Sequence, residues 1–75
     1  MKLQELLRDV TGADASASQR SQHIRLTELL AERHGADSIT LKGVQKWFWR
    51  KSIPSPWLMR IAALPSPPLN LVDYL

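Results

Sequence analysis

The feature that most restricts this chain is an absence: across 75 residues there is no cysteine, so neither a disulfide nor a thiolate-held zinc can supplement a core that this length keeps small. Any fold must be held by apolar burial around one centre, which excludes two domains. An apolar fraction of 44% with 23% charged residues belongs to an ordinary globular chain rather than a disordered or fibrous one. The lack of cysteine also points to a reducing, cytoplasmic setting. The longest apolar runs, such as Ile61-Ala62-Ala63-Leu64, fall far short of the ~20 residues a membrane span needs. Glu5 and Asp9 stand where an export signal would place its apolar stretch, so neither a membrane segment nor a leader is expected.

Periodicity predicts helices throughout. Leu3, Leu6, Leu7 and Val10 recur at i, i+3, i+4 and i+7, an amphipathic helix over residues 2 to 10 that ends at Thr11-Gly12. The Ala- and Ser-rich segment from Ala13 to Ser21 reads as a connection. A second helix follows from about Arg20 or Ser21 to His34, with Ile24, Thr27 or Glu28 and Ala31 at helical spacing, a stripe widened by Leu26, Leu29 and Leu30 and closed by Gly35. After the connection Ala36 to Ile39, Thr40 is placed to cap a third helix over Leu41 to Lys51, which Ser52-Ile53-Pro54 ends. Ser55 as cap and Pro56 at the first helical position start a fourth, with Trp57, Leu58, Ile61 and Leu64 on one face, before Pro65-Ser66-Pro67-Pro68. Residues 69 to 75 suffice for a helical turn or two. The expected fold is an all-α, compact bundle of four to five short helices.

The net charge of +3 is unevenly spread. Residues 1 to 37 carry five basic and six acidic side chains, whereas residues 38 to 75 carry five basic (Lys42, Lys46, Arg50, Lys51, Arg60) and one acidic, Asp73. On a helical wheel of Leu41 to Lys51, Leu41, Val44, Trp47 and Phe48 share the buried face. Lys42, Lys46 and Trp49 lie opposite, flanked by Gln45 and Arg50. An α-helix fits the major groove of B-DNA, where Lys and Gln reach base edges while cations at the helix end meet phosphates.

The run Thr40-Leu41-Lys42-Gly43-Val44-Gln45-Lys46-Trp47-Phe48 resembles the recognition helix of lambda-repressor and Cro-type helix-turn-helix proteins, regulators of bacteria and phages. In that family a Ser or Thr cap is followed four residues later by an apolar residue and three after that by Trp or Leu. Upstream, Leu29-Leu30-Ala31-Glu32-Arg33-His34-Gly35 is similar to the first motif helix, and downstream Ser52-Ile53-Pro54 resembles the segment after the recognition helix. The likeness covers roughly Thr27 to Leu64, although the step from Gly35 to Val44 is longer than the family's turn. It implies a helix-turn-helix and a sequence-specific double-stranded DNA-binding transcriptional regulator associated with the nucleoid. Lys42, Gln45 and Lys46 would read bases, with Trp49 at the edge of that surface, and Thr40, Arg50 and Lys51 would contact phosphate. Leu30, Ala31, Val44 and Trp47 would hold the two motif helices together. Val44-Gln45 with Trp47-Phe48 is also similar to the homeodomain recognition helix, but that family's adenine-reading Asn would fall at Arg50, and Pro54 and Pro56 cut off the long basic helix that should follow.

One motif of this size calls for a homodimer on paired half-sites, and Leu69, Leu71, Val72, Tyr74 and Leu75 are the candidate contact unless the tail folds back on its own core. The alternative function is a small protein-interaction module, an adaptor or antirepressor whose Trp49 and basic face bind an acidic protein. No catalytic group, cofactor site or small-molecule pocket is expected: His23 and His34 have no third metal ligand and read as helix-surface residues, and no activated nucleophile is visible.

Overall fold

The structure is a computed structural model and describes residues 2–12 and 18–75. These hold four α-helices in order, α1 (Leu3–Thr11), α2 (Gln19–His34), α3 (Leu41–Trp49) and α4 (Ser55–Ala62), with 3-10 turns over Ala36–Ser38 and Leu71–Tyr74. No strand occurs among the described residues, and none of their helices is long and apolar enough to cross a membrane. The connection read from Ala13 lies outside the described residues as far as residue 17.

The α1 pattern emerges intact, since Leu3, Leu6, Leu7 and Val10 are all buried. Gly12 takes a left-handed φ of 67° and donates its N–H to the Arg8 carbonyl at 2.9 Å, the glycine stop expected there. Helix α2 begins earlier than its pattern suggests, because the Ser18 hydroxyl accepts the Ser21 N–H at 3.1 Å and caps it. Gly35, at φ 98°, closes it. Its buried stripe is Gln22, His23, Leu26 and Leu30, which corrects the expected one. Ile24 is 37% exposed, and it stands about 200° around the helix from Leu26, on the side facing away from α1 and α3. His23 is likewise not a surface residue: it is buried, with its ring stacked on Phe48 of α3 at 5.0 Å between centroids.

The long step between α2 and α3 is filled by the first 3-10 turn. The Ser38 hydroxyl sits within hydrogen-bond reach of the His34 and Gly35 carbonyls (2.9 and 2.7 Å), groups that the end of α2 leaves unpaired. Ile39 then turns into extended backbone and buries its side chain in the core, a role hidden in what the sequence presents as linker. Helix α4 starts one residue before its expected position. The Pro54 carbonyl accepts the Leu58 N–H at 2.9 Å, so Pro54 rather than Ser55 occupies the cap position and Pro56 stands second. A proline there loses no helix bond, because the first-turn amides have no intrahelical partner.

One apolar cluster joins every helix: Leu3, Leu6, Leu7 and Val10 from α1, Leu26 and Leu30 from α2, Ile39, Val44 and Phe48 around α3, Ile61 from α4, and Tyr74. Leu6, Leu7, Leu26, Leu30, Val44 and Ile61 are fully buried, each contributing about 1.5–3 kcal/mol of transfer free energy. The tail folds back onto this cluster. Tyr74 is buried, Leu69 and Leu71 pack against the core, the Lys2 N–H donates to the Tyr74 carbonyl at 2.6 Å, and the Tyr74 hydroxyl donates to the Asp9 carboxylate. Of the five tail residues read as a dimer contact, three are therefore occupied within the chain, and only Val72 and Leu75 stay exposed.

Two pH responses follow. The hydrogen bond to Asp9, then burial and nearby carboxylates, push the Tyr74 phenol up to about 12. Tyr74 is the sole tyrosine, so phenolate absorbance should titrate near 12 in the folded protein and near 10 in denaturant. Since the folded value is the higher, the docked tail stabilises fully below about pH 10 and loses its effect as pH rises towards 12. A native midpoint near 10 would show the tail undocked. His23 behaves oppositely: burial lowers its pKa below 6.5, so its contribution is complete above about pH 6.5 and is lost as pH falls. Thermal melts should weaken from pH 7 to 5 in the wild type and less steeply in His23→Leu. Equal slopes in wild type and His23→Leu would refute this account.

Candidate functional site

The side chains that the sequence singles out converge on α3, so the packing that fixes this helix fixes the site. Thr40 caps its start as expected, its hydroxyl accepting the Gly43 N–H at 3.1 Å. A Cβ on Gly43 would come within 3.3 Å of that hydroxyl oxygen, so glycine leaves the cap uncrowded. Val44 and Phe48 are buried, while Leu41 and Trp47 are half-buried. Phe48 is held against α2 by His23. Trp47 is held against α4 by Trp57 at 5.6 Å, and Trp57 in turn meets the His34 ring edge-on at 5.9 Å and carries the Arg60 guanidinium 4.7 Å above its ring. Contacts on two sides set the rotation of α3 about its own axis.

The opposite face is therefore presented outward. Lys42, Lys46, Trp49, Arg50 and Lys51 are exposed, and Gln45 is half-buried. Lys42, Gln45, Lys46 and Trp49 surround a single surface depression of about 410 Å³, so the expected base-reading group is brought together. Lys46 and Arg50 flank a second depression on the other side of the helix, with Gly43, Trp47, Ser52 and Pro54. Among the described residues the one ion pair is Arg25 with Glu28, 3.5 Å apart on α2, so Lys42, Lys46, Arg50 and Lys51 have no ion-pair partner there.

The helix ends differently from expectation, at Trp49 rather than Lys51. Arg50 is the cap, Lys51 turns left-handed at φ 55°, and two hydrogen bonds close the end: Lys51 N–H to the Phe48 carbonyl at 3.3 Å, and Ser52 N–H to the Trp47 carbonyl at 2.9 Å. This is the Schellman arrangement, in which the left-handed position is normally glycine. A lysine there costs about 1 kcal/mol of backbone strain. The wheel reading extends a helix through Lys51 because nothing in Arg50-Lys51-Ser52 signals a left-handed residue.

One cation escaped the sequence reading. Lys2, at the entry to α1, lines a depression of about 330 Å³ with Lys51, Phe48, Leu3, Gln4 and Glu5. It lies in the half of the chain whose charges balance, and only the return of α1 against the end of α3 brings it there. The described residues hold no group of three or more His, Asp or Glu side chains able to share a metal ion. The depression at the α2–α4 junction, lined by Arg33, His34, Met59, Arg60 and Ala63, has its Arg33 guanidinium donating to the Ala63 carbonyl at 2.9 Å.

No family model, no curated protein and no solved structure gives a significant match to this chain.

Proposed function

We propose that the chain is a sequence-specific double-stranded DNA-binding regulator of the lambda-repressor and Cro type, with α2 and α3 as its helix-turn-helix and α3 in the major groove. The observation that carries this reading is the outward face of α3: cations and one amide around an indole, on a helix locked from behind, with no carboxylate among the described residues paired to any of them. Lys42, Gln45 and Lys46 take base edges, and Thr40, Arg50 and Lys51 take phosphates. Lys51 adds support, because a lysine kept in a conformation that favours glycine costs stability that its positive charge on phosphate would offset. Two copies on half-sites about one helical turn apart would supply the affinity that one short helix lacks. In this reading the protein is a binding module rather than an enzyme.

With Arg50 and Lys51 of each of two copies on phosphate, about four cations in all, the logarithm of the binding constant should fall with the logarithm of salt concentration at a slope of about −3 to −4, measured by fluorescence anisotropy. No duplex binding at low salt, or tight binding indifferent to salt, would overturn the assignment. An acidic protein partner is the competing occupant, favoured by the exposure of Trp49; amide shifts of residues 41 to 51 that respond to such a partner and not to duplex DNA would select it.

Substitutions separate the roles. Lys46→Ala or Gln45→Ala should relax sequence preference by about 1–3 kcal/mol at one base position. Lys51→Gly should raise folding stability by about 1 kcal/mol in chemical denaturation while weakening every DNA sequence alike. A Lys51→Gly protein that is stabilised and binds DNA undiminished would remove Lys51 from the phosphate set.

A further inference from the structure

Trp49 is 81% exposed, the most exposed of the large apolar side chains described, although two other tryptophans lie within eight residues of it along the chain and both pack inward. Among the described residues its indole has no ring contact and no hydrogen bond, whereas Trp47 and Trp57 meet each other. Its place is not peripheral to the cations. It follows Lys42, Gln45 and Lys46 at i+7, i+4 and i+3, and the four residues enclose the same depression. A large apolar ring thus stands exposed beside three polar and cationic side chains, with no partner among the described residues.

The identity of that partner follows from the chemistry a major groove offers. Its floor presents amide-like donors and acceptors, which suit Lys and Gln, and one apolar group, the C5-methyl of thymine. An indole face has no hydrogen-bonding capacity except its single N–H, so on a surface whose charge suits a nucleic-acid polyanion the matching element is that methyl. We infer that Trp49 is the thymine reader of this interface, packing its indole on a thymine C5-methyl while Lys42, Gln45 and Lys46 engage polar base edges. The inference rests on the DNA reading above and adds to it a base identity and a contact type.

The test uses the full chain. Selection from random duplexes first yields a preferred site, and each thymine in it is then replaced singly by uracil, which removes the methyl group and leaves base pairing intact. Binding is measured by anisotropy at fixed salt for the wild type and for Trp49→Ala, whose fold is checked by thermal melting, since the side chain contributes nothing to the core. The expected result is that at least one thymine-to-uracil change weakens the wild type about four-fold, the worth of one buried methyl, and leaves Trp49→Ala unaffected at that position. If a site is selected but no uracil change matters, or if Trp49→Ala keeps the same penalty, the thymine assignment falls while DNA binding stands. If no duplex is enriched or bound, the DNA reading itself fails and the thymine assignment with it.

Discussion

The orientation of α3 depends on a bracket: Phe48 stacked on His23 from one side and Trp47 against Trp57 from the other, with Val44 sealed between. Apolar burial alone is non-directional and would tolerate a helix rolled by some tens of degrees. Ring-on-ring contacts on two flanks do not, because each has a preferred approach. Which side chains face outward is therefore decided by aromatic geometry as much as by the wheel. Substitutions at Trp57 or His23 bear on the exposed face through this bracket.

The bracket has a cost in polar satisfaction. His23 Nε2 is buried with no hydrogen-bond partner among the described residues. An apolar side chain of similar volume would avoid that penalty. The imidazole keeps a flat ring against Phe48 at the cost of sensitivity to acid, and the left-handed Lys51, one turn further along at the same end of α3, carries a cost of its own in backbone strain.

Much of this was legible in the chain itself, and the failures have particular causes. Helix α1, the Thr40 cap and the buried and exposed faces of α3 follow from side-chain spacing, because those elements have one neighbour-facing side and strong end signals. The α2 stripe was misread at Ile24 because leucines on several faces leave its periodicity weak, and only the positions of α1 and α3 decide which leucines go inside. Ile39, Tyr74 and Lys2 take their roles from contacts distant in sequence. The left-handed turn at Lys51 and the one-residue shift at Pro54 are backbone decisions that the residue types there do not announce. Spacing alone puts Lys42, Gln45, Lys46 and Trp49 on one face, where they share a depression; what the sequence could not supply was the strain at Lys51 and the neighbouring cation Lys2.

The capped length of α3 sets a limit of another kind. Thr40 fixes one end and the left-handed turn at Lys51 the other, leaving nine helical residues, or about 13 Å at 1.5 Å each. Against a base-pair step of about 3.4 Å, a helix of this length lying in a groove spans roughly four base pairs. Four positions distinguish about 256 sequences, while a genome offers on the order of 10⁶ or more competing sites. On the DNA reading, the short, firmly bounded helix of one copy reads too few positions to single out an address by itself.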